Sequence, residues 1–274
     1  MILVSKFEDQ TIQYRELTVS EYKTILKSLL GEEPDKDILC ANLRCVFEEA
    51  FKGTNDFFQE LYALFCLRQV SIGDKVPIIF CEDDKQINGA FTMEHCKKTL
   101  KREKLKVVKW KKYEVQLNWP SLIDLIGGGN YTEAFVKSIK INNTIVAGEI
   151  AKGLVGDLPF ELYREVEKEI GRAIEVIENN PLGVIKSGAK EYQIPVPLYS
   201  DAIIRFLKIM FNGDLGGIYD QFFLITKNTA ITPEYLDKGT PAELEIYTNR
   251  VLASQPQQEL DEIDEDSAFG DSIV

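Results

Sequence analysis

Two cysteines and the only histidine of the chain fall within one short stretch, CEDDKQINGAFTMEHC at 81–96. Thiolate and imidazole are preferred ligands of zinc, so the first chemistry to test is metal binding. Asn88-Gly89 is a two-residue hairpin signal, and a turn there would pair positions that sum to 177, setting Cys81 opposite Cys96 at about 5 Å between Cα atoms. A structural zinc takes four ligands, usually as two close pairs, whereas this stretch offers one isolated cysteine and one adjacent His-Cys pair. Neighbouring strand residues point to opposite faces, so His95 and Cys96 would not meet one ion. Glu82, Asp83 or Asp84 would have to complete the shell, and these read more simply as charges near a turn. Cys81, His95 and Cys96 are therefore weak candidates, and the residues favour unliganded thiols. No cofactor is expected.

Other catalytic arrangements stop at similar points. IGGGN at 126–130 lacks the Lys-Ser/Thr of a phosphate loop and reads as a break between helices. No G-x-S-x-G surrounds a serine that could use His95 as its base. Cys40, Cys45 and Cys66 sit among apolar neighbours, the setting of inert thiols. With 44 Asp and Glu, no carboxylate pair stands apart. The sequence supports no enzymatic activity.

The elements that would carry any site follow from patterning. A chain of 274 residues with 45% hydrophobic content can bury a substantial core. MILVSKFEDQ is not a secretory signal, no run approaches the roughly 18 apolar residues of a membrane helix, and five cysteines lack disulfide-framework spacing. A cytosolic protein is expected. An opening strand or hairpin, 1–14, leads into TVSEYKTILKSLLG, where Thr18 and Glu21 have capping-box spacing and Gly31 marks the end. Further helices are predicted over 36–51 and across DFFQELYALFCLRQV, whose apolar residues cover most of its surface. From 76 to 120 the chain reads as strand, with KVPIIF and KLKVVKWKKYEVQLNW the main runs. From 121 to 254 it reads as helix again, most clearly in LPFELYREVEKEIGRAIEVIEN and YSDAIIRFLKIMF. Thr232-Pro233 and Thr240-Pro241-Ala242-Glu243 are helix starts. The prediction is an α+β fold with N-terminal helices in 1–75, a small antiparallel β-region in 76–120, a C-terminal helical block in 121–254 and a disordered acidic tail, 255–274.

Charge is distributed unevenly. The net charge of −12 argues against general affinity for nucleic acid. Residues 97–112, KKTLKREKLKVVKWKK, nevertheless carry nine Lys or Arg against one Glu, while 255–274 carry seven Asp or Glu and no base. Lys104, Lys106, Lys109, Lys111 and Lys112 form a basic patch interleaved with Trp110 and Tyr113. Lysines on strands first suggest a protected sheet edge, next an acidic protein surface such as the tail of a neighbouring subunit, and last a single-stranded nucleic acid stacking on the rings.

The order of RELTVSEYKTILKSLL, LFCLRQVSIGDKVPIIF, EVQLNWPSL and IYDQFFLITKNTAITPEYLDKGTPAELEIY across residues 15–250 resembles the baseplate hub assembly proteins of T-even-type contractile-tailed bacteriophages. The most distinctive part is Ile231 to Leu236 followed by Thr240 to Glu243 and Ile246-Tyr247, and the acidic extension after Ser254 departs from the family pattern. The resemblance implies a protein without catalytic function that binds other hub or tail proteins during assembly in the host cytoplasm. It would then either stay in the virion baseplate or leave as a chaperone, and self-association is compatible with either course. Tyr219, Phe222, Phe223, Tyr235, Tyr247 and, in the tail, Phe269 are the candidate interface aromatics, with Phe57 and Phe58 further ones. The C-terminal helical block and the tail would form the main docking surface. A zinc-dependent or lysine-rich nucleic-acid module and a cytosolic adaptor unrelated to phage are the alternatives.

Overall fold

The computed structural model describes residues 2–53, 56–82, 85–187 and 190–254, and the acidic tail with Phe269 lies outside them. The fold is α+β, as the patterning predicts. Strands β1 (Leu3–Phe7) and β2 (Gln10–Tyr14) form the opening hairpin. Helix α1 (Val19–Ser28) starts with the predicted capping box: the Glu21 N–H donates to Thr18 Oγ1 at 3.2 Å, and the Thr18 N–H donates to Glu21 Oε2 at 2.8 Å. Helix α2 (Lys36–Ala50) follows, and the short β3 (Phe51–Lys52) pairs with β2.

Helix α3 (Phe57–Ser71) is the centre of the core. Phe57, Phe58, Leu61, Leu64, Phe65 and Leu67 are all fully buried, as the all-round apolar surface of this helix requires. One polar side chain on it spans the core: Arg68 Nε donates to the Met210 carbonyl at 3.0 Å, and its guanidinium also reaches the carbonyls of Gly73 and Lys75. Those bonds satisfy a buried cation and fix α3 against the helix that ends at Met210.

The middle of the chain departs from the all-strand expectation. Strands β4 (Lys75–Glu82) and β5 (Lys85–Thr92) pair with Lys75 opposite Thr92 and Cys81 opposite Gln86, so the hairpin closes between Glu82 and Lys85. The expected turn at Asn88-Gly89 is wrong: both residues lie inside β5, opposite Ile79 and Ile78. Gly89 serves a different purpose there, because a Cβ would collide with Cγ2 of Ile185. A glycine inside a strand often marks such a close approach. The chain then forms helix α4 (Met93–Thr99), capped by Thr92, where strand was expected. An extended segment leads to β6 (Val108–Trp110) and β7 (Tyr113–Leu117), with Lys111 in the left-handed region at φ 50° between them.

Helices α5 (Leu122–Gly127) and α6 (Tyr131–Phe135) flank the glycine run, which is the expected chain break: Gly128 takes φ 69° and Asn130 caps α6. Strands β8 (Val136–Ile141) and β9 (Thr144–Ala147) then extend β6 and β7 into a four-stranded antiparallel sheet, order β6-β7-β8-β9. Helix α7 (Gly148–Gly153) and the amphipathic α8 (Phe160–Glu178) follow. A further hairpin, β10 (Gly183–Ser187) and β11 (Lys190–Ile194), precedes α9 (Ser200–Met210), α10 (Leu215–Asn228), α11 (Pro233–Lys238) and α12 (Pro241–Ser254). The two hairpins within 121–254 were not expected from a sequence that reads there as helix.

Candidate functional site

The proposed metal ligands do not form one strand pair. Cys96 sits in α4, fully buried, and burial aided by the Asp74 carboxylate pushes its thiol up to about 12. Zinc binds the thiolate, which that environment disfavours. His95, its neighbour on the helix, is exposed, and its ring lies against Gly183, where a Cβ would come within 3.3 Å of Cδ2. The Cys81 side chain and Asp83 and Asp84 lie outside the described residues. Among the described residues no group of three or more His, Cys, Asp or Glu side chains could hold an ion.

The aromatic candidates separate into core and surface. Phe57, Phe58 and Phe222 are core, and the expectation that they are exposed anchors fails because the faces of α3 and α10 that carry them are covered. Tyr219 (45% exposed), Phe223 (67%) and Tyr235 (58%) reach solvent. Tyr219 and Phe223 stand one turn apart on α10. Tyr235 of α11 meets Tyr247 of α12 edge-on, with ring centres 6.5 Å apart.

These helices are held by the N-terminal helix. Lys23 of α1 lies 2.5 Å from Asp237 of α11, with its ammonium 4.4 Å from the Phe222 ring centre and 5.3 Å from that of Tyr219. Lys27 also approaches Tyr219, and a hydrogen bond from it, with the nearby Lys23 charge, lowers the Tyr219 hydroxyl below the usual tyrosine range. The Val19 N–H donates to the Gly239 carbonyl at 2.8 Å, so the loop before α12 also anchors on α1. Reciprocal bonds between Thr240 and Glu243, at 2.8 and 3.2 Å, fix the start of α12. Nothing in the sequence pairs Lys23 with Asp237 across more than 200 residues.

The basic patch is a second surface. Lys104, Lys106, Lys109, Lys111 and Lys112 are all exposed. Lys109 approaches Glu114 at 3.6 Å, Lys111 lies 3.9 Å from the centre of the Trp110 ring, and Lys112 lies 5.5 Å from that of Tyr113. The two rings that could stack on bases are thus contacted by their own neighbours. A third site, missed in the sequence, is Glu60 of α3: it is largely buried, and accepts from the Leu122 N–H at 2.6 Å. Burial, with Asp124 and Asp56 adding like charge, raises its carboxyl to about 7.

Helices joined through α1, with aromatic rings left on their outer faces, are features of a protein that meets others by contact. The profile of the T4 bacteriophage base plate protein family matches residues 2–179, and the chain belongs to that family. It is a phage baseplate protein. The match ends just after α8, so β10 to α12 and the C-terminal segment of the resemblance lie beyond it. No curated protein and no solved structure matches the chain significantly. Among the described residues no helix is long and apolar enough to cross a membrane.

Proposed function

We propose that this baseplate protein acts without catalysis, as a hub component or hub-assembly chaperone, through protein–protein contacts made by α10 to α12 while the tail is built in the host cytoplasm. The observation that carries the reading is the outward display of Tyr219, Phe223 and Tyr235 on helices whose inner faces are already packed, in a chain of the baseplate family. Large rings that are amphipathic or apolar and stay in water on a fixed backbone are suited to become buried anchors at an interface. The partners are other hub or tail proteins of the same phage.

The test is co-purification from infected cells with a tagged chain. The parent should recover tail or hub proteins, and Phe223→Asp combined with Tyr235→Asp should lose them while its circular dichroism stays unchanged. Recovery of the same proteins by the double variant would move the docking surface elsewhere. Failure of the parent to recover any tail protein would end the hub reading.

A further inference from the structure

The lysine-rich segment carries more charge than its surroundings neutralise, on a backbone that is held rigidly. Arg172 of α8 donates to Glu103 Oε1 at 2.7 Å and to the Lys104 carbonyl at 3.1 Å, and also binds Glu169 at 2.8 Å. Glu169 in turn accepts from the Lys106 N–H at 2.8 Å, and Trp119 Nε1 donates to the Glu103 carbonyl at 2.7 Å. The clamp consumes Glu103 and Glu169, the acids best placed to neutralise this strip. Lys101, Lys104, Lys106, Lys111 and Lys112 make no ion pair with any described residue. On a chain with net charge −12 a run of unpaired cations is out of keeping with the whole.

Beside the strip runs an open groove of about 340 Å³ between β6 and α8, lined by Lys106, Val107, Val108 and Lys109 on one side and Lys168 and Arg172 on the other, with Glu165 and Glu169 also on its wall. Val107 is 42% exposed, an apolar floor between cations. The sequence holds one segment with the complementary pattern: ELDEIDEDSAFGDSIV at 259–274 alternates acids with Leu260, Ile263, Phe269 and Ile273.

We propose that the acidic tail, 255–274, docks on its own chain along Lys101–Lys112 and the β6–α8 groove, with its carboxylates on the lysines and one apolar residue on Val107. Charges of +8 on 97–112 and −7 on 255–274 nearly cancel. Reach is sufficient: twenty residues span up to roughly 70 Å when extended, against a radius of gyration of about 19 Å for a folded chain of this length. Tethering favours the same chain over a neighbour, because it raises the local tail concentration toward the millimolar range.

Zero-length carboxyl–amine cross-linking of the full chain at low micromolar concentration, mapped by mass spectrometry, tests this. Cross-links from Glu259–Asp271 to Lys104, Lys106, Lys109, Lys111 or Lys112 should form within single chains and vanish near 1 M salt, where charges are screened beyond about 3 Å. Amine methylation of those lysines should quicken several-fold when 255–274 are removed. Replacing the five lysines with Gln in the full chain should quicken Glu-specific proteolysis at Glu259, Glu262 and Glu265 several-fold without changing the circular dichroism, a readout that stands even if the truncated chain does not fold. Equal methylation rates with and without the tail would overturn the proposal. So would cross-links found only between isotopically distinct chains, which would assign the tail to a neighbour.

Discussion

The Lys23 ammonium lies 2.5 Å from the Asp237 carboxylate, joining a helix near the start of the chain to one near its end. The lysine is nearly buried, and its ammonium sits 4.4 Å from the Phe222 ring centre. Lys23→Met keeps the stem but leaves Asp237 without its partner. Because Asp237 keeps 36% of its side chain exposed, the cost is discounted from that of a fully buried pair to roughly 1–3 kcal/mol. Urea unfolding should show that loss, and Lys23→Met with Asp237→Asn should cost less than the two single changes added together. Strict additivity would mean that the pair is not coupled.

Glu60 gives the protein a pH dependence of definite sign. Its folded value of about 7 lies above its ordinary 4.5, so between these the folded state holds a proton that the unfolded chain has released. Stability therefore falls as pH rises through that window. Glu60→Gln keeps an acceptor for the Leu122 N–H and removes the titration. It should be more stable than the parent by roughly 1–3 kcal/mol at pH 8, with the gain fading toward pH 4. An equal gain at both ends, measured by urea unfolding, would assign the effect to something other than this carboxylate.

The misplaced hairpin turn leads to a packing test. Gly89→Ala should cost roughly 1–3 kcal/mol, because the new methyl group meets Cγ2 of Ile185. Ile185→Ala alone should cost about 2–5 kcal/mol as a large-to-small change in the core. Combined, the two should cost less than their sum, since Ile185→Ala opens the space that the new methyl group at position 89 needs, and that methyl group fills part of the cavity. A sum that is additive or worse would place the strain of Gly89→Ala elsewhere.

Local signals were legible in the sequence where they act locally. Thr18 and Glu21 form the capping box that their spacing predicts, Thr232 caps the helix that begins at Pro233, and the all-apolar α3 is the buried centre. The hairpin turn failed for a non-local reason. Asn88-Gly89 carries a turn signal, but its glycine answers to Ile185 almost 100 residues away, a contact no local pattern encodes. The strands β8 and β9 did leave a trace: Val136 to Ile141 are short, β-branched and partly alternating, and Asn142 takes φ 55° in the turn. They were hidden between amphipathic helices. The sorting of aromatics into core and surface depended on which face α1 covers, and Lys23, Asp237 and Glu60 gave no signal because burial and pairing made them special.

The thiols give a direct test of the reading of residues 81–96. Cys45 is exposed, whereas Cys66 and Cys96 are fully buried, and burial raises both thiols above the ordinary range, Cys96 to about 12. Alkylation requires a thiolate that reagent can reach, so both conditions protect Cys66 and Cys96. At pH 8 iodoacetamide should modify Cys45 at least tenfold faster than either, and urea should abolish the difference. Peptide mass spectrometry reads each site separately. EDTA should leave the native pattern unchanged, since folding and not coordination shields Cys96. A Cys96 that reacts only after chelation would mean that its sulfur holds a metal as a thiolate, and the buried-thiol account of α4 would have to be abandoned.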